Sequence, residues 1–142
     1  MRYFTLQEAN AFIPALQATF GYIQRLRLQV VQLVSELEHL GGSDPESTAA
    51  VEGLSDAAKS KRERVLVALA EIRRLVQELE SHGLIVKQLD GLVDFRSLRG
   101  TRPVYLSWRK GEDRVDHWHE VWSDPNNRQV VEDQFFPKPL LN

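Results

Sequence analysis

The apolar positions follow two different periods along the chain. From Leu16 and Phe20 a stripe runs through Ile23, Leu26, Val30, Leu33, Leu37 and Leu40. Its spacing alternates between three and four, which puts all of these side chains on one face of a helix. A second stripe follows the same rule through Val51, Leu54, Ala58, Lys61, Val65, Ala68, Ile72, Leu75 and Leu79, with Lys61 its one polar member. Thr5-Leu6-Gln7-Glu8 reads as a capping box at the start of the first helical stretch. Pro14 either kinks that stretch or opens a second helix after a short first turn. Gly41-Gly42 ends it, Ser43-Asp44-Pro45-Glu46 starts the next, and His82-Gly83 closes that one. Two helices of about 36 residues, or about 54 Å each, are longer than a chain of this size can wrap.

From Gly83 the period shortens to two. Leu84–Leu89 reads as a strand, Asp90-Gly91 as a turn and Leu92–Phe95 as a second strand. Residues 99–103 break the pattern. Val104–Arg109 is the strongest strand of the chain, Lys110-Gly111-Glu112-Asp113 turns, and Val115–Trp122 returns beside it as a hairpin. After Ser123 the chain is polar and proline-bearing, then ends in Phe135-Phe136-Pro137-Lys138-Pro139-Leu140-Leu141. That tail is too apolar to stay solvated, and its prolines exclude a helix interior or a central strand. An extended, docked segment is predicted. The fold class is therefore α+β: a long antiparallel two-helix hairpin (1–82) and a small, mostly antiparallel β module with an extended tail (83–142), read as a single domain over 1–142.

Leu66, Leu69 and Val76 widen the second apolar stripe beyond what a two-helix seam needs. Dimerisation into a helical bundle would bury the surplus, so a homo-oligomer, specifically a dimer, is the expected partner state. The 142 residues contain no cysteine, which excludes disulfides and thiolate chemistry and fits a reducing compartment. No apolar run is long enough to cross a bilayer and the opening residues hold no stretch of signal-peptide length, so a cytoplasmic protein with no membrane partner is expected. Net charge is −2 and is spread evenly along the chain. The basic group Lys59, Lys61, Arg62 and Arg64 is interrupted by Glu63 and reads as a solvated helix face, which argues against nucleic acid.

Candidate chemistry gathers late in the chain. His117-Trp118-His119-Glu120 places His117 and His119 on one side of a strand, where two imidazoles can chelate one metal ion. Asp94, Glu112, Asp113 and Asp116 are the carboxylates that would complete such a site. A polar cluster of Asp94, Arg109, Glu112, His119 and Glu120 is also expected, with Arg109 paired to Glu112 or Glu120 and His119 as its titrating group. It serves either as an anion-binding or acid–base pocket or as a salt-bridge network fixing the hairpin. Ser107, His119 and Asp94 lack the nucleophile elbow and oxyanion loop of a hydrolase. No phosphate-binding glycine loop is present. Cofactor and substrate stay open, as does the question of whether the protein is an enzyme.

Tyr3-Phe4-Thr5-Leu6-Gln7-Glu8-Ala9-Asn10, Gly91–Phe95, Val104–Arg109 with Gly111-Glu112, and Trp118-His119-Glu120 together resemble an uncharacterised bacterial family, domain of unknown function 2203. The resemblance covers most of the chain. It implies a shared fold and a shared polar cluster rather than a reaction. The family's Gly-Phe-x-Gly-Arg stretch is replaced here by Ser123-Asp124-Pro125-Asn126-Asn127-Arg128. The sequence fits a non-enzymatic cytoplasmic interaction or assembly protein that self-associates through its helices. The alternative is a metal- or anion-dependent enzyme or sensor built on the polar cluster.

Overall fold

A computed structural model of the protein describes residues 2–41 and 53–132. Three helices, α1 (Leu6–Asn10), α2 (Ile13–His39) and α3 (Asp56–Ser81), precede five strands, β1 (Ile85–Gln88), β2 (Leu92–Arg99), β3 (Arg102–Arg109), β4 (His117–Glu120) and β5 (Gln129–Val130). The fold is α+β, and the strands form one antiparallel sheet in chain order. The described residues group into two compact units, one between Tyr22 and Leu75 and one made of the residues on either side.

The capping box at Thr5 is present. The Glu8 amide donates to Thr5 Oγ1 at 3.1 Å, and the Thr5 amide donates to Glu8 Oε1 at 2.8 Å. Of the two readings of Pro14, the structure takes the restart: α1 stops at Asn10 and α2 begins with Pro14 in its first turn, where the missing amide hydrogen removes no helical bond. That restart shortens the first helix to 27 residues, about 40 Å, against the 36 residues expected. α3 has 26 residues and opens at Asp56, where the Ala58 amide donates to Ser55 Oγ at 3.2 Å. The start signal predicted at residues 43–46 and the docked tail predicted at 135–141 lie outside the described residues. Leu16, Phe20, Ile23, Leu26, Leu33 and Leu37 on α2 are buried, as are Ala58, Val65, Ala68, Ile72 and Leu79 on α3. Lys61 holds its place in the stripe by pairing with Glu36 at 3.4 Å.

The sheet has one apolar and one polar face. Val93, Phe95, Leu106, Trp108 and Trp118 alternate onto the first and are buried. Phe95 meets Phe4 with ring centres 5.2 Å apart, and Trp108 meets Phe20 at 5.8 Å. The N-terminal residues are pinned across this face by the backbone. The Phe4 amide donates to the Arg96 carbonyl at 2.7 Å, and the Ser97 hydroxyl donates to the Phe4 carbonyl at 2.6 Å.

The break expected over 99–103 contracts to Gly100-Thr101, because β2 and β3 pair as far as Arg99 and Arg102. Pro103 lies inside β3 without harm. Its position opposite Leu98 turns its nitrogen away from β2, toward a flank that β4 reaches only from Val104 onward. β4 is shorter than the predicted Val115–Trp122. The Asn10 side chain takes both backbone groups of Val115, accepting from its amide at 2.7 Å and donating to its carbonyl at 3.2 Å. The two-residue strand β5 was not legible in the pattern.

Gly91 sits at φ +111° in the β1–β2 turn, and a Cβ there would lie 2.5 Å from the Cβ of Lys110. The Lys110 amide donates to the Gly91 carbonyl at 2.8 Å, so neither backbone can withdraw freely. Gly91→Ala is therefore expected to cost at least about 1–3 kcal/mol from the backbone conformation, with the clash added to it. Urea unfolding of the variant measures this, and an unchanged midpoint would contradict the packing of this turn.

Candidate functional site

The second face of the sheet carries Asp94 on β2, Ser107 and Tyr105 on β3, and His117 and His119 on β4. Asp94, Ser107 and His119 are buried. Asp94 and His119 stand two strands apart, about 10 Å between backbones. Their side chains nevertheless meet, His119 Nε2 lying 2.8 Å from Asp94 Oδ2. The strand between them presents Ser107 opposite both Asp94 and His117. A side chain that small leaves the space through which imidazole and carboxylate reach each other. The Tyr105 ring, directly opposite His119, flanks the imidazole with centres 5.3 Å apart.

The other imidazole nitrogen also faces an acceptor. His119 Nδ1 lies 2.8 Å from the Glu120 carbonyl, which accepts as well from the Ser123 hydroxyl at 3.1 Å. A neutral imidazole has one N–H and satisfies only one of these acceptors, whereas the charged form satisfies both. Burial opposes that charge, and the hydrogen bond and charge of the Asp94 carboxylate together with the Glu120 carbonyl outweigh it. The His119 pKa is raised above its ordinary value of 6.5.

Glu112 is the centre of a second group. Arg128 clamps its carboxylate with both terminal nitrogens, at 2.9 and 3.0 Å. The Arg109 amide donates to Glu112 Oε1 at 2.6 Å, and the Trp108 indole donates to the Glu112 carbonyl at 2.9 Å. Burial works against ionisation of Glu112, and the Arg128 fork with the Arg109 amide overcomes it, leaving its pKa below the usual carboxylate value. His117 Nδ1 lies 3.4 Å from Glu112 Oε2 and 2.7 Å from Asp116 Oδ1.

The five residues expected in one cluster therefore separate into three groups. Asp94 and His119 form the first, Glu112 anchors the second, and Glu120 pairs with Arg102 at 3.0 Å to form the third. Arg109 does not pair with Glu112 or Glu120 through its guanidinium. That group donates to Asn126 at 2.6 Å, because Arg128 occupies Glu112 and Arg102 occupies Glu120. His117 and His119 share a sheet face, yet their nitrogens turn to different carboxylates. Sequence reading missed Arg128, Asn126, Arg102 and Ser123. The polar segment 123–128 ends on an arginine, which was the available signal for Arg128. Nothing in strand periodicity marks the others.

Because the folded pKa of His119 lies above 6.5, its pairing contributes fully below about pH 6.5 and is lost as pH rises through the folded value. Asp94→Asn should be most destabilising at the acid end, by about 3–5 kcal/mol for a buried charge left unpaired. The gap from wild type should narrow as His119 deprotonates. Urea unfolding of both proteins between about pH 5 and about pH 9 measures it. A gap independent of pH would show the imidazole to be neutral throughout.

Among the described residues, no helix is long and apolar enough to cross a membrane. No curated protein and no solved structure matches the chain significantly. A family model does match, over residues 2–131, which takes in both units, the His119–Asp94 pair and the Glu112–Arg128 clamp. The chain thus belongs to the family described as "Uncharacterized conserved protein (DUF2203)".

Proposed function

We propose that this is a non-enzymatic, cytoplasmic interaction or assembly protein that self-associates through α2 and α3. The observation that carries the reading is the solvent exposure of Leu28 (64%) and Val31 (68%) in the helical unit. The Lys61–Glu36 pair sets a level for an antiparallel hairpin, and counting from it brings Val31 level with Leu66 and Leu28 level with Leu69. Leu66 and Leu69 are themselves only half-buried. A second copy related by a two-fold axis would cover these four positions and complete a four-helix bundle. Each Leu or Val taken out of water contributes roughly 1.5–3 kcal/mol, and the axis counts it twice.

A metal- or anion-dependent enzyme or sensor is the second reading. One observation favours it: a histidine and an aspartate are paired away from water beneath a loop held largely by polar contacts.

Sedimentation of the untagged protein at tens of micromolar is expected to give a dimer. The double variant Leu28→Glu, Val31→Glu should be monomeric with unchanged helix content by circular dichroism, because both side chains are exposed within one copy, and its melting temperature should fall only to the concentration-independent value of a lone copy. A wild-type monomer, or a variant that remains dimeric, would remove the self-association reading.

A further inference from the structure

We propose that Glu112, Asp116 and His117 form a binding site for a first-row divalent metal ion such as Zn²⁺. This stands apart from self-association; of the metal ligands expected from sequence it keeps His117, Glu112 and Asp116 and drops His119, whose nitrogens face Asp94 and the Glu120 carbonyl. One ligand atom from each residue, a carboxylate oxygen of Glu112 and of Asp116 and a ring nitrogen of His117, lies within 4.8 Å of the other two. Bonds of about 2.0–2.2 Å to a tetrahedral ion place neighbouring ligand atoms roughly 3.4 Å apart. The 3.4 Å between His117 Nδ1 and Glu112 Oε2 already meets that spacing. The 2.7 Å between Nδ1 and Asp116 Oδ1 would have to open slightly.

The His117 nitrogen itself points to a ligand. Nδ1 is shielded from solvent and has no hydrogen-bond partner despite its nearness to two carboxylates, because neither lies along a hydrogen-bonding direction. Exchange of the Nδ1 proton for a metal ion would give the ion that nitrogen's lone pair and turn both carboxylates from the imidazole to the metal. A metal ion is an acceptor of lone pairs from nitrogen and carboxylate oxygen together.

The surroundings hold the three groups in place. The Arg128 fork and the Arg109 amide fix the Glu112 carboxylate. The Val131 amide donates to the Asp116 carbonyl at 2.8 Å, and Val130 pairs with His117 across the β4–β5 ladder. Such supporting bonds are what orient the ligands of a metal centre. All three side chains are partly exposed, His117 at 25%, Glu112 at 23% and Asp116 at 39%, which gives an ion and its remaining water ligands a way in. The Arg128 charge on Glu112, and Arg114 at 3.7 Å from Asp116, oppose a cation. They favour an ion that gains from the imidazole nitrogen over Mg²⁺ or Ca²⁺, which seek oxygen alone.

Calorimetric titration of the untagged protein with Zn²⁺, Co²⁺, Mg²⁺ and Ca²⁺ tests this. One equivalent of Zn²⁺ and of Co²⁺ should bind, the cobalt form with a visible absorption band, while Mg²⁺ and Ca²⁺ should not compete at equal concentration. His117→Ala and the near-isosteric Asp116→Asn should each weaken Zn²⁺ binding by more than the roughly 10–100-fold that follows loss of a supporting partner. His39→Ala and His82→Ala should leave it unchanged. Absence of Zn²⁺ binding by the wild-type protein overturns the proposal, whatever the variants do. So does binding that survives both His117→Ala and Asp116→Asn, or that is lost with His39 or His82.

Discussion

The polar face of the sheet depends on a contact that spans three strands. His119 and Asp94 belong to β4 and β2, and they touch because the strand between them offers a serine where a larger side chain would stand. Ser107 Oγ is buried and makes no hydrogen bond, so its value to the structure is its size. A valine would retain strand propensity and close the gap. Both outer groups would then be buried without each other, at several kcal/mol. The pair also reaches beyond the sheet. Glu120 and Ser123, which flank the exit from β4, are ordered around the second nitrogen of the same imidazole.

Glu112 acts in the same way at the other end of the sheet. It lies in the turn between β3 and β4 and takes the amide of Arg109, the last residue of β3. It also holds Arg128, the residue before β5. One carboxylate thus joins a turn to a segment 16 residues further on. With the Arg109–Asn126 bond, these contacts position residues 121–128, where strand pairing has stopped and Trp122 stands 81% exposed. The segment is short of apolar anchors, and ionic groups hold it instead.

Much of the architecture was legible because it rests on period and punctuation. The α2 and α3 stripes, the Thr5 box, the Asp90-Gly91 turn and the β3 strand are local statements, and local physics decides them. The misplacements arise where a distant group takes over a backbone. Val115 reads as strand, yet its amide and carbonyl are held by Asn10, 105 residues away. Arg109 reads as the partner of a nearby carboxylate, yet Arg128 and Arg102 have filled both. Residue types named Asp94, His119 and Glu112 as members of a polar group. They could not say which would meet, because that depends on sheet order and on the one small residue at Ser107.

The two units are held by different physics, and this shapes what each can do. In the helical unit the Leu26–Leu33–Leu37 and Val65–Ala68–Ile72 stripes are covered, while Leu28, Val31 and Val67 remain in water. Association that adds apolar burial there is only weakly sensitive to salt and pH. In the sheet unit the apolar face is packed against Phe4 and Phe20, which meet Phe95 and Trp108. The groups whose pKa values are shifted, His119 and Glu112, belong to the polar side of this unit. Those groups respond to protons and ions rather than to apolar surface. A change of pH across the range of His119 therefore acts on the polar face and its loop, and leaves the helical stripes as they were.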